Sequence, residues 1–478
     1  MSHTPTQEHN PERFNTWSQL IWNHHLAQQD TQKLRPDVTP EAYAQKFDLS
    51  LAKRQKPCDE AELTEWVKTL QSYSVATSHP LFMNQLYGHV HDVGLLGDMV
   101  TTSINTSMAT YEIAPLLTLT EKQVIAQMAR EIGFTTWDGL MTPGGSLSNM
   151  QAMLMAKDQR FPEARSKGAK ILPEVCIFVS DQAHYSFVKF AQLLGLGQHS
   201  IIKVKSTRKG SMVPEALETA VQEALSANKV PLMIAATAGT TVSGAYDDIE
   251  ALGRVAKAHK MWFHVDGSYG GSLLLSEKGK TYMKGIEQAD SVAWNPHKML
   301  GVPFHCPALI TRHKGALEAS LSTDASYLFH DDETDYNLGQ KSLHCGRRPE
   351  AFKFWLSWQA YGREGLSQRI DNMMDGAAAF AKQVEDHPDC ELLCEPEAPV
   401  VCFQYHPPGV DMTLEQRNAL NQQIREQIFA GGEILINYAH ISDMTVLRCV
   451  VAHPGFNGEH ASKILKAVEA TAKEILSR

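Results

Sequence analysis

The feature that most limits the fold is a regular alternation of short apolar runs and helix-like segments after Pro143. The apolar runs are VCIFVS, IIKVKS, VPLMIAATAG, MWFHVDGSY, SVAWN and PALITRH. One segment between them, VPEALETAVQEAL, places Leu217, Val221 and Leu225 on one helical face. Strands that are apolar along their length and separated by helices are typical of a parallel sheet covered on both faces. The sequence therefore predicts an α/β fold with a mostly parallel central sheet flanked by helices.

The 478-residue chain divides into three predicted parts. Residues 1–95 are polar with scattered apolar positions, and we expect a helical segment that packs against a second copy of the chain. Residues 96–345 contain the sheet, and residues 346–478 are expected to form a smaller C-terminal α+β domain. Its last helix is amphipathic, with Ile464 and Val468 on the apolar face.

One helix ahead of the alternating region has recognisable ends. In TLTEKQVIAQMAREIGF, Thr118 and Glu121 fit a capping box, Val124 and Met128 share a face, and Gly133 follows the last apolar position. The pattern predicts a helix that starts at Thr118 and stops at Gly133.

Charge and composition exclude several functional classes. The net charge is 44 − 54 = −10 and no basic block is present, which argues against a nucleic-acid partner. The start, MSHTPTQEHNPERFN, lacks an apolar signal core, and no apolar run approaches the roughly 18–20 residues that span a bilayer. The eight cysteines form no CxxC pair, so we expect free thiols rather than disulfides or zinc. These observations predict a cytoplasmic protein that does not bind membranes.

Ligands of such sheets bind beyond the carboxyl ends of the strands, and four polar stretches fall there. In TPGGSLSNM, Gly144 and Gly145 precede a helix whose free N–H groups suit an anion, with Ser146, Ser148 and Asn149 as possible side-chain donors. An ordinary turn at the start of a helix, with no bound anion, explains the same residues equally well.

The second and third stretches are SDQAHYS and WFHVDGSYGG. His184 follows the strand VCIFVS, where a structural histidine is the alternative interpretation. Asp266 ends its apolar strand, and a buried carboxylate needs a cation or donors nearby. It can cap the next turn, hold a protonated ring nitrogen, or bind a metal. Only His264 accompanies it, so no metal site is expected.

The fourth stretch is SVAWNPHKML, with Lys298 after a buried strand. Lys298 follows Asp266 by 298 − 266 = 32 residues, one strand–helix unit further along the same sheet edge. A surface lysine is one interpretation; the other is a desolvated lysine that forms a Schiff base with an aldehyde. Pyridoxal 5′-phosphate (PLP) uses an anion cradle, a carboxylate, a ring-facing side chain and an imine-forming lysine together.

The motifs NPHK, HVDGSYGG, TPGGSLSNM and DQAHYS resemble the group II PLP-dependent amino-acid decarboxylases, from about residue 78 to the C-terminus. The stretches HPLFMNQLYG, NTSMATYEIAP, ATAGTTVSGAYDDI and CGRRPEAFKFWLSWQAYG resemble the acidic-substrate branch, which holds glutamate, cysteine sulfinate and aspartate 1-decarboxylases. The resemblance implies PLP fold type I, the aspartate-aminotransferase-like architecture, with residues 96–345 as the large PLP-binding domain.

The resemblance also implies roles for individual residues. Lys298 would bind the PLP aldehyde, Asp266 the ring nitrogen, and His184 the ring face. The implied cofactor-binding residues are Gly144, Gly145, Ser146, His184, Thr237, Asp266, His297, Lys298 and Cys345. Cys345 would reach the phosphate of the neighbouring subunit, which implies a homodimer with shared active sites.

Substrate contacts are implied for Arg448, which would bind the α-carboxylate, and for Gln85. Ser107 and Ala109 stand where glutamate decarboxylases carry asparagine and phenylalanine, and the serine is more like the cysteine sulfinate enzymes. Tyr87 stands where those enzymes carry an aromatic residue, which shortens the pocket, while Ala109 opens space. We therefore expect decarboxylation of cysteine sulfinate or aspartate, with glutamate as the alternative.

A mobile loop of the family carries a tyrosine that delivers a proton. The corresponding stretch, YLFHDDETDYNLGQKSLHCGR, is about three residues shorter than in the animal enzymes, and Tyr336 is its candidate. A tyrosine there favours plain decarboxylation over oxidative aldehyde synthesis. The remaining alternatives are a PLP aminotransferase and a non-catalytic protein of the same fold.

Overall fold

The structure is a computed structural model that describes residues 11–53, 56–323, 329 and 335–478. Its helices are α1 (Pro11–Ala27), α2 (Pro40–Lys46), α3 (Glu60–Ser72), α4 (Asp92–Ile104), α5 (Pro115–Ile132), α6 (Gly145–Arg160), α7 (Ala164–Lys167), α8 (Ser186–Leu193), α9 (Pro214–Ser226), α10 (Ile249–Ala258), α11 (Pro296–Met299), α12 (Ala316–Leu321), α13 (Glu350–Asp386), α14 (Leu414–Gly431) and α15 (Gly458–Leu476). Its strands are β1 (Asp138–Met141), β2 (Val175–Ser180), β3 (Ile201–Val204), β4 (Val230–Thr237), β5 (Trp262–Gly267), β6 (Ser291–Trp294), β7 (Ala308–Thr311), β8 (Cys390–Leu392), β9 (Val400–Tyr405), β10 (Asn437–Ile441) and β11 (Met444–Val450). Among these elements no helix is long and apolar enough to cross a membrane.

The central sheet has the strand order β1-β7-β6-β5-β4-β2-β3. The pairs from β6 to β3 are parallel, and β7 runs antiparallel to both of its neighbours. The mostly parallel sheet is therefore confirmed, and six of its strands coincide with the apolar runs. Strand β1 was not predicted, because its four residues DGLM carry no strand-like run of their own.

A second, antiparallel sheet has the order β10-β11-β9-β8 and packs against α14 and α15. This confirms the smaller C-terminal α+β unit. Helix α13 leads into it and kinks at Gly362, whose φ of 62° lies in the left-handed region that favours glycine. The boundaries at residues 95 and 345 stay predictions.

Two predicted helical faces are confirmed with one exception. In α9, Leu217 and Val221 are buried, but Leu225 is 43% exposed and Ala224 takes the buried position instead. In α15, Ile464 and Val468 are fully buried, as the amphipathic pattern predicts.

The predicted capping box at Thr118 is wrong. Helix α5 begins at Pro115, three residues earlier, and no side chain caps it. Proline is favoured in the first turn because it has no N–H to leave unpaired there. Thr118 and Glu121 are consequently buried inside the helix, while the predicted end at Gly133 is confirmed by its left-handed φ of 92°.

Glu121 instead forms a buried ion pair with Arg347, just ahead of α13. The two side chains are 1% and 2% exposed. Glu121 also accepts a hydrogen bond from the Met141 amide at 2.9 Å, and Arg347 donates to the Met141 carbonyl at 2.9 Å and the Met108 carbonyl at 3.3 Å. The pair therefore ties α5 and β1 to the segment that leads into α13.

We expect Glu121→Ala to lower the free energy of unfolding by about 3–5 kcal/mol, because it leaves the Arg347 guanidinium buried without its counter-charge. Urea denaturation measures the loss. The control is Asp386→Ala, which breaks an ion pair whose partners are 67% and 63% exposed; about 0.5 kcal/mol or less is expected there. Equal losses in the two variants would contradict a structural role for the buried pair.

Candidate active site

One pocket lies at the carboxyl ends of β4, β5 and β6, where the first turn of α6 meets the sheet. Of the predicted cofactor residues, Gly144, Gly145, Ser146, His184, Thr237, Asp266, His297 and Lys298 line it. Cys345 is not among the lining residues. The pocket therefore joins residues from across more than 150 positions of the chain, as the predicted sheet edge requires.

The start of α6 forms an anion cradle. The amide of Ser148 donates to the Gly144 carbonyl at 3.0 Å, so the N–H groups of Gly145 and Ser146 precede the first helical hydrogen bond. A Cβ on Gly145 would lie 2.6 Å from Asn295 Nδ2 and 2.7 Å from Ser268 Oγ, so only glycine fits there. Free N–H groups at the positive end of a helix suit a phosphate.

Two of the possible anion donors have other partners. Ser148 is buried and shares a hydrogen bond of 2.7 Å with Thr142 Oγ1. Asn149 donates to Asp266 Oδ2 at 2.7 Å. Ser146 and Asn149 line the pocket and Ser148 does not. Of the three, only Ser146 lines the pocket without another side-chain partner, so donation by Ser148 or Asn149 to an anion stays a prediction.

Asp266 is a buried carboxylate with donors on both oxygens. Asn149 Nδ2 donates to Oδ2 at 2.7 Å and the Ser268 amide donates to Oδ1 at 3.1 Å, so the carboxylate also caps its turn. Burial opposes its charge, but the His184 ring, when it is protonated, and the donated hydrogen bonds outweigh burial and lower the pKa of Asp266. It is thus an ionised acceptor suited to a protonated ring nitrogen. No group of metal-binding side chains occurs in the described residues.

Lys298 lies in the short helix α11 that follows β6, and it lines the pocket together with Asp266. Burial lowers the pKa of Lys298 from 10.5 to about 8; Asp266 opposes this shift and Arg448 adds to it. A larger fraction of neutral amine is therefore present near neutral pH than for a surface lysine. Neutral amine is the nucleophile that Schiff-base formation needs.

Two histidines of the pocket are held in the neutral state. His184 Nδ1 accepts from the Ser186 amide at 3.3 Å, and His297 Nδ1 accepts from the Cys306 amide at 2.9 Å. Each ring therefore carries its proton on Nε2. Burial lowers the pKa of His184, and it lowers the pKa of His297 to about 3.

Several buried polar atoms of the lining have no hydrogen-bond partner among the described residues. They are Thr237 Oγ1, the Tyr269 hydroxyl and Asn295 Oδ1. Buried polar groups are normally paired, so these atoms fit a polar ligand. With the cradle, Asp266 and Lys298, they suit a molecule that carries a phosphate, a ring nitrogen and an aldehyde. Tyr269 and Asn295 lie inside the motifs HVDGSYGG and NPHK but were not predicted. The sequence alone does not distinguish a side chain that lines a pocket from one that is packed in the interior.

Arg448 projects from β11 of the second sheet toward the loop after β4. Its Nε donates to the Val242 carbonyl at 3.2 Å and its Nη1 to the Asn84 carbonyl at 3.4 Å. Its Nη2 is buried and has no partner within the described parts of the chain. A guanidinium with one free donor edge suits a carboxylate.

The predicted substrate residues Gln85 and Tyr87 do not line the pocket. Gln85 is exposed. The ring of Tyr87 packs 5.3 Å from that of Phe304, which does line the pocket. Tyr87 therefore supports an aromatic wall, and direct contact of Gln85 with a substrate stays a prediction.

Ser107, Ala109, Tyr336 and Cys345 also lie outside the pocket lining, near one another. The Gly339 amide donates to the Ala109 carbonyl at 2.8 Å, and the amide of Arg347 donates to Ser107 Oγ at 3.4 Å. Ala109 is buried at this junction, whereas Cys345 is exposed.

Tyr336 is 40% exposed and lies against the start of the large domain. Its ring packs 5.3 Å from that of Tyr111, and Lys122 Nζ lies 4.0 Å from its centroid. Residues 324–328 and 330–334, which include seven of the 21 residues of the predicted loop stretch, lie outside the described residues. The proton-donor role of Tyr336 stays a prediction.

A known protein family and several named relatives match this chain. The family described as "Pyridoxal-dependent decarboxylase conserved domain" matches residues 40–406. The chain is 38% identical to cysteine sulfinic acid decarboxylase of Mus musculus over 426 residues, which cover 87% of this chain and 86% of that protein. It is 36% identical to acidic amino acid decarboxylase GADL1 of Xenopus tropicalis over 448 residues, which cover 91% and 87%.

Solved structures resemble the whole chain. The crystal structure of mouse CSAD has a TM-score of 0.91 at 34% identity and covers 97% of this chain and 99% of its own. The structure of Oryza sativa TDC with PLP and tryptamine has a TM-score of 0.90 at 22% identity, covering 98% and 99%, and shows likeness of fold alone.

Proposed function

The chain belongs to the pyridoxal-dependent decarboxylase family, and from this premise we propose that it removes the α-carboxylate of a short acidic L-amino acid. It is a PLP-dependent amino-acid decarboxylase of fold type I. The observation that carries the proposal is the convergence of Lys298, Asp266 and the α6 cradle on one pocket. The names of its relatives support an acidic amino acid as the substrate, and one of them names cysteine sulfinic acid.

Different residues of the pocket would bind different parts of the cofactor. The N–H groups of Gly145 and Ser146 would hold the phosphate, Asp266 the ring nitrogen, His184 the ring face and Lys298 the aldehyde carbon. When bound, PLP supplies an electron sink for the pair of electrons that the departing carboxylate leaves at Cα. The neutral His184 adds no positive charge above the ring, and its Nε2 proton can be donated at the ring face.

Arg448 and the aromatic wall would select the substrate. Arg448 is not among the lining residues of the pocket, and its buried, unpartnered Nη2 supports a role in binding a carboxylate. The packing of Tyr87 against Phe304, a lining residue, supports a shortened pocket and hence a short acid. Incubating the PLP-loaded protein with equal amounts of cysteine sulfinate, aspartate and glutamate tests this choice. Hypotaurine or β-alanine should predominate, and a predominance of GABA would make glutamate the substrate.

Capture of PLP by the apoprotein should accelerate as pH rises toward about 8 and then level off. Only the neutral amine of Lys298 attacks an aldehyde, and burial brings its pKa down to about 8. Below that pH, each unit of acidification should slow capture about tenfold, in proportion to the neutral fraction. Stopped-flow absorbance of the bound cofactor measures the rate. A rate that keeps rising toward the ordinary lysine value of 10.5 would contradict the desolvated lysine.

The assembly we propose is a homodimer with shared active sites. In support, Ser107, Ala109, Tyr336 and Cys345 carry family roles yet do not line the pocket of their own chain. They would therefore serve the pocket of the partner. If so, two inactive variants, Lys298→Ala and Tyr336→Phe, regain activity when they are unfolded together and refolded as mixed dimers, because one site is then intact. Mixed dimers without activity would place Tyr336 in its own subunit's site or remove its role.

We place the enzyme in the cytoplasm. All eight cysteines are unpaired, as expected for a reducing compartment. Fractionation of cells that express the protein tests the assignment, and recovery with the membrane or from outside the cytoplasm would overturn it.

A further inference from the structure

A buried line of hydrogen bonds runs behind the pocket along β5. Trp262, His264 and Asp266 occupy every second position of the strand, so their side chains leave the same face. Between them lie Ser291 of β6, which pairs with His264 in the sheet, and Asn149 of α6. Each of the five residues is more than nine-tenths buried.

The contacts are continuous from the indole to the carboxylate. Trp262 Nε1 donates to Ser291 Oγ at 2.9 Å, and Ser291 Oγ lies 2.9 Å from His264 Nδ1. His264 Nε2 lies 3.0 Å from Asn149 Oδ1, and Asn149 Nδ2 donates to Asp266 Oδ2 at 2.7 Å. The second amide proton of Asn149 goes to Ser186 Oγ at 3.1 Å, so both donors of this side chain are used.

The chemistry of the two ends fixes the direction of every hydrogen bond. An ionised carboxylate only accepts, so Asn149 must present its Nδ2 to Asp266 and its Oδ1 to His264. His264 must then carry its proton on Nε2, and its Nδ1 accepts from the Ser291 hydroxyl. The indole N–H of Trp262 can only donate, and it donates to a lone pair of the Ser291 hydroxyl oxygen. Burial lowers the pKa of His264 to about 4, which keeps the ring neutral and this direction intact.

We propose that Asn149, His264 and Ser291 are positioning residues of the decarboxylase, which hold the Asn149 amide toward Asp266 so that its carboxylate stays ionised against the ring nitrogen of PLP. The inference rests on the proposed function, because that function assigns the ring nitrogen to Asp266. Burial alone favours the neutral carboxyl, and its charge depends on His184 together with the hydrogen bonds donated by Ser268 and Asn149. Without the proton on His264 Nε2, the amide is free to rotate and to present its oxygen to the carboxylate.

The test is the protonation state of the ring nitrogen in holoprotein loaded with ¹⁵N-labelled PLP. Wild type should show a protonated ring nitrogen by ¹⁵N NMR. His264→Phe should move the resonance toward the unprotonated position and lower kcat about 10- to 100-fold, the worth of a hydrogen bond to a charged group, with KM little changed. In His264→Gln, the side-chain amide can replace the Nε2 donor. This variant should therefore restore both the position of the resonance and kcat.

Controls separate the chain of hydrogen bonds from general damage. Ser291→Ala removes only a hydroxyl and should shift the resonance in the same direction by a smaller amount, so the test survives if His264→Phe does not fold. His259→Phe removes a half-buried histidine that bonds to Glu218 and should leave the resonance unchanged. A wild-type resonance in both His264→Phe and Ser291→Ala would overturn the inference while leaving the decarboxylase intact. An unprotonated ring nitrogen in wild type would instead overturn the role of Asp266.

Discussion

Replacing Lys298 with alanine should lower the decarboxylation rate by about 10⁴-fold or more, since it removes the group that forms the covalent link to the cofactor. Lys298 is the lysine that lines the pocket. Burial lowers the pKa of its amine to about 8, which increases the neutral fraction near neutral pH. The same variant should lose the visible absorption of the bound cofactor after dialysis, because the cradle and Asp266 then hold PLP without a covalent bond.

The matched control is Lys284→Ala, which removes a lysine that is 74% exposed and pairs with Glu250. It should keep both activity and absorption. Absorption and activity that survive in Lys298→Ala would refute the assignment of the Schiff base, whatever the substrate.

Replacing Arg448 with lysine should lower kcat/KM for the acidic substrate by about 10²- to 10³-fold, mainly through KM. Truncating one partner of a buried charge pair costs about 2–5 kcal/mol, and lysine cannot reproduce the planar fork of donors. Two of the arginine nitrogens are already fixed by the Val242 and Asn84 carbonyls, so the direction of the free Nη2 is set by the protein.

Steady-state kinetics measure this loss, and Arg254→Lys, at a site where the arginine is 65% exposed, is the control. Thermal unfolding of both variants shows whether the fold is kept. An Arg448→Lys enzyme that is folded and has unchanged KM would remove Arg448 from the substrate site.

Periodicity and strand-end position were sufficient to predict that Gly144, Gly145, His184, Asp266 and Lys298 lie together, whereas Thr237 and His297 were predicted from the family resemblance alone. Asp266 and Lys298 were placed at one sheet edge because parallel strands one unit apart end side by side, and the register of β5 with β6 confirms it. The same reasoning did not predict that Asn149 donates to Asp266, since a side chain in the second turn of a helix can face either the ligand or the sheet, and only packing decides.

Interactions between residues far apart in the sequence could not be predicted from local sequence patterns. Thr118 and Glu121 match a capping box by spacing, yet Pro115 starts the helix and Glu121 pairs with Arg347, 226 positions away. The hydrogen-bond line through His264 likewise joins three elements, although the period-two spacing of Trp262, His264 and Asp266 was visible in the sequence.

The most direct test of the decarboxylase is the fate of the substrate carbon in deuterated water. Purified PLP-loaded protein is supplied with L-cysteine sulfinate or L-aspartate, and carbon dioxide, amine and deuterium content are measured together. Decarboxylation predicts one carbon dioxide for each amine formed, with one deuterium on the carbon that lost the carboxylate. A keto acid without carbon dioxide would identify an aminotransferase, an aldehyde would identify oxidative chemistry, and either result would contradict the proposed function.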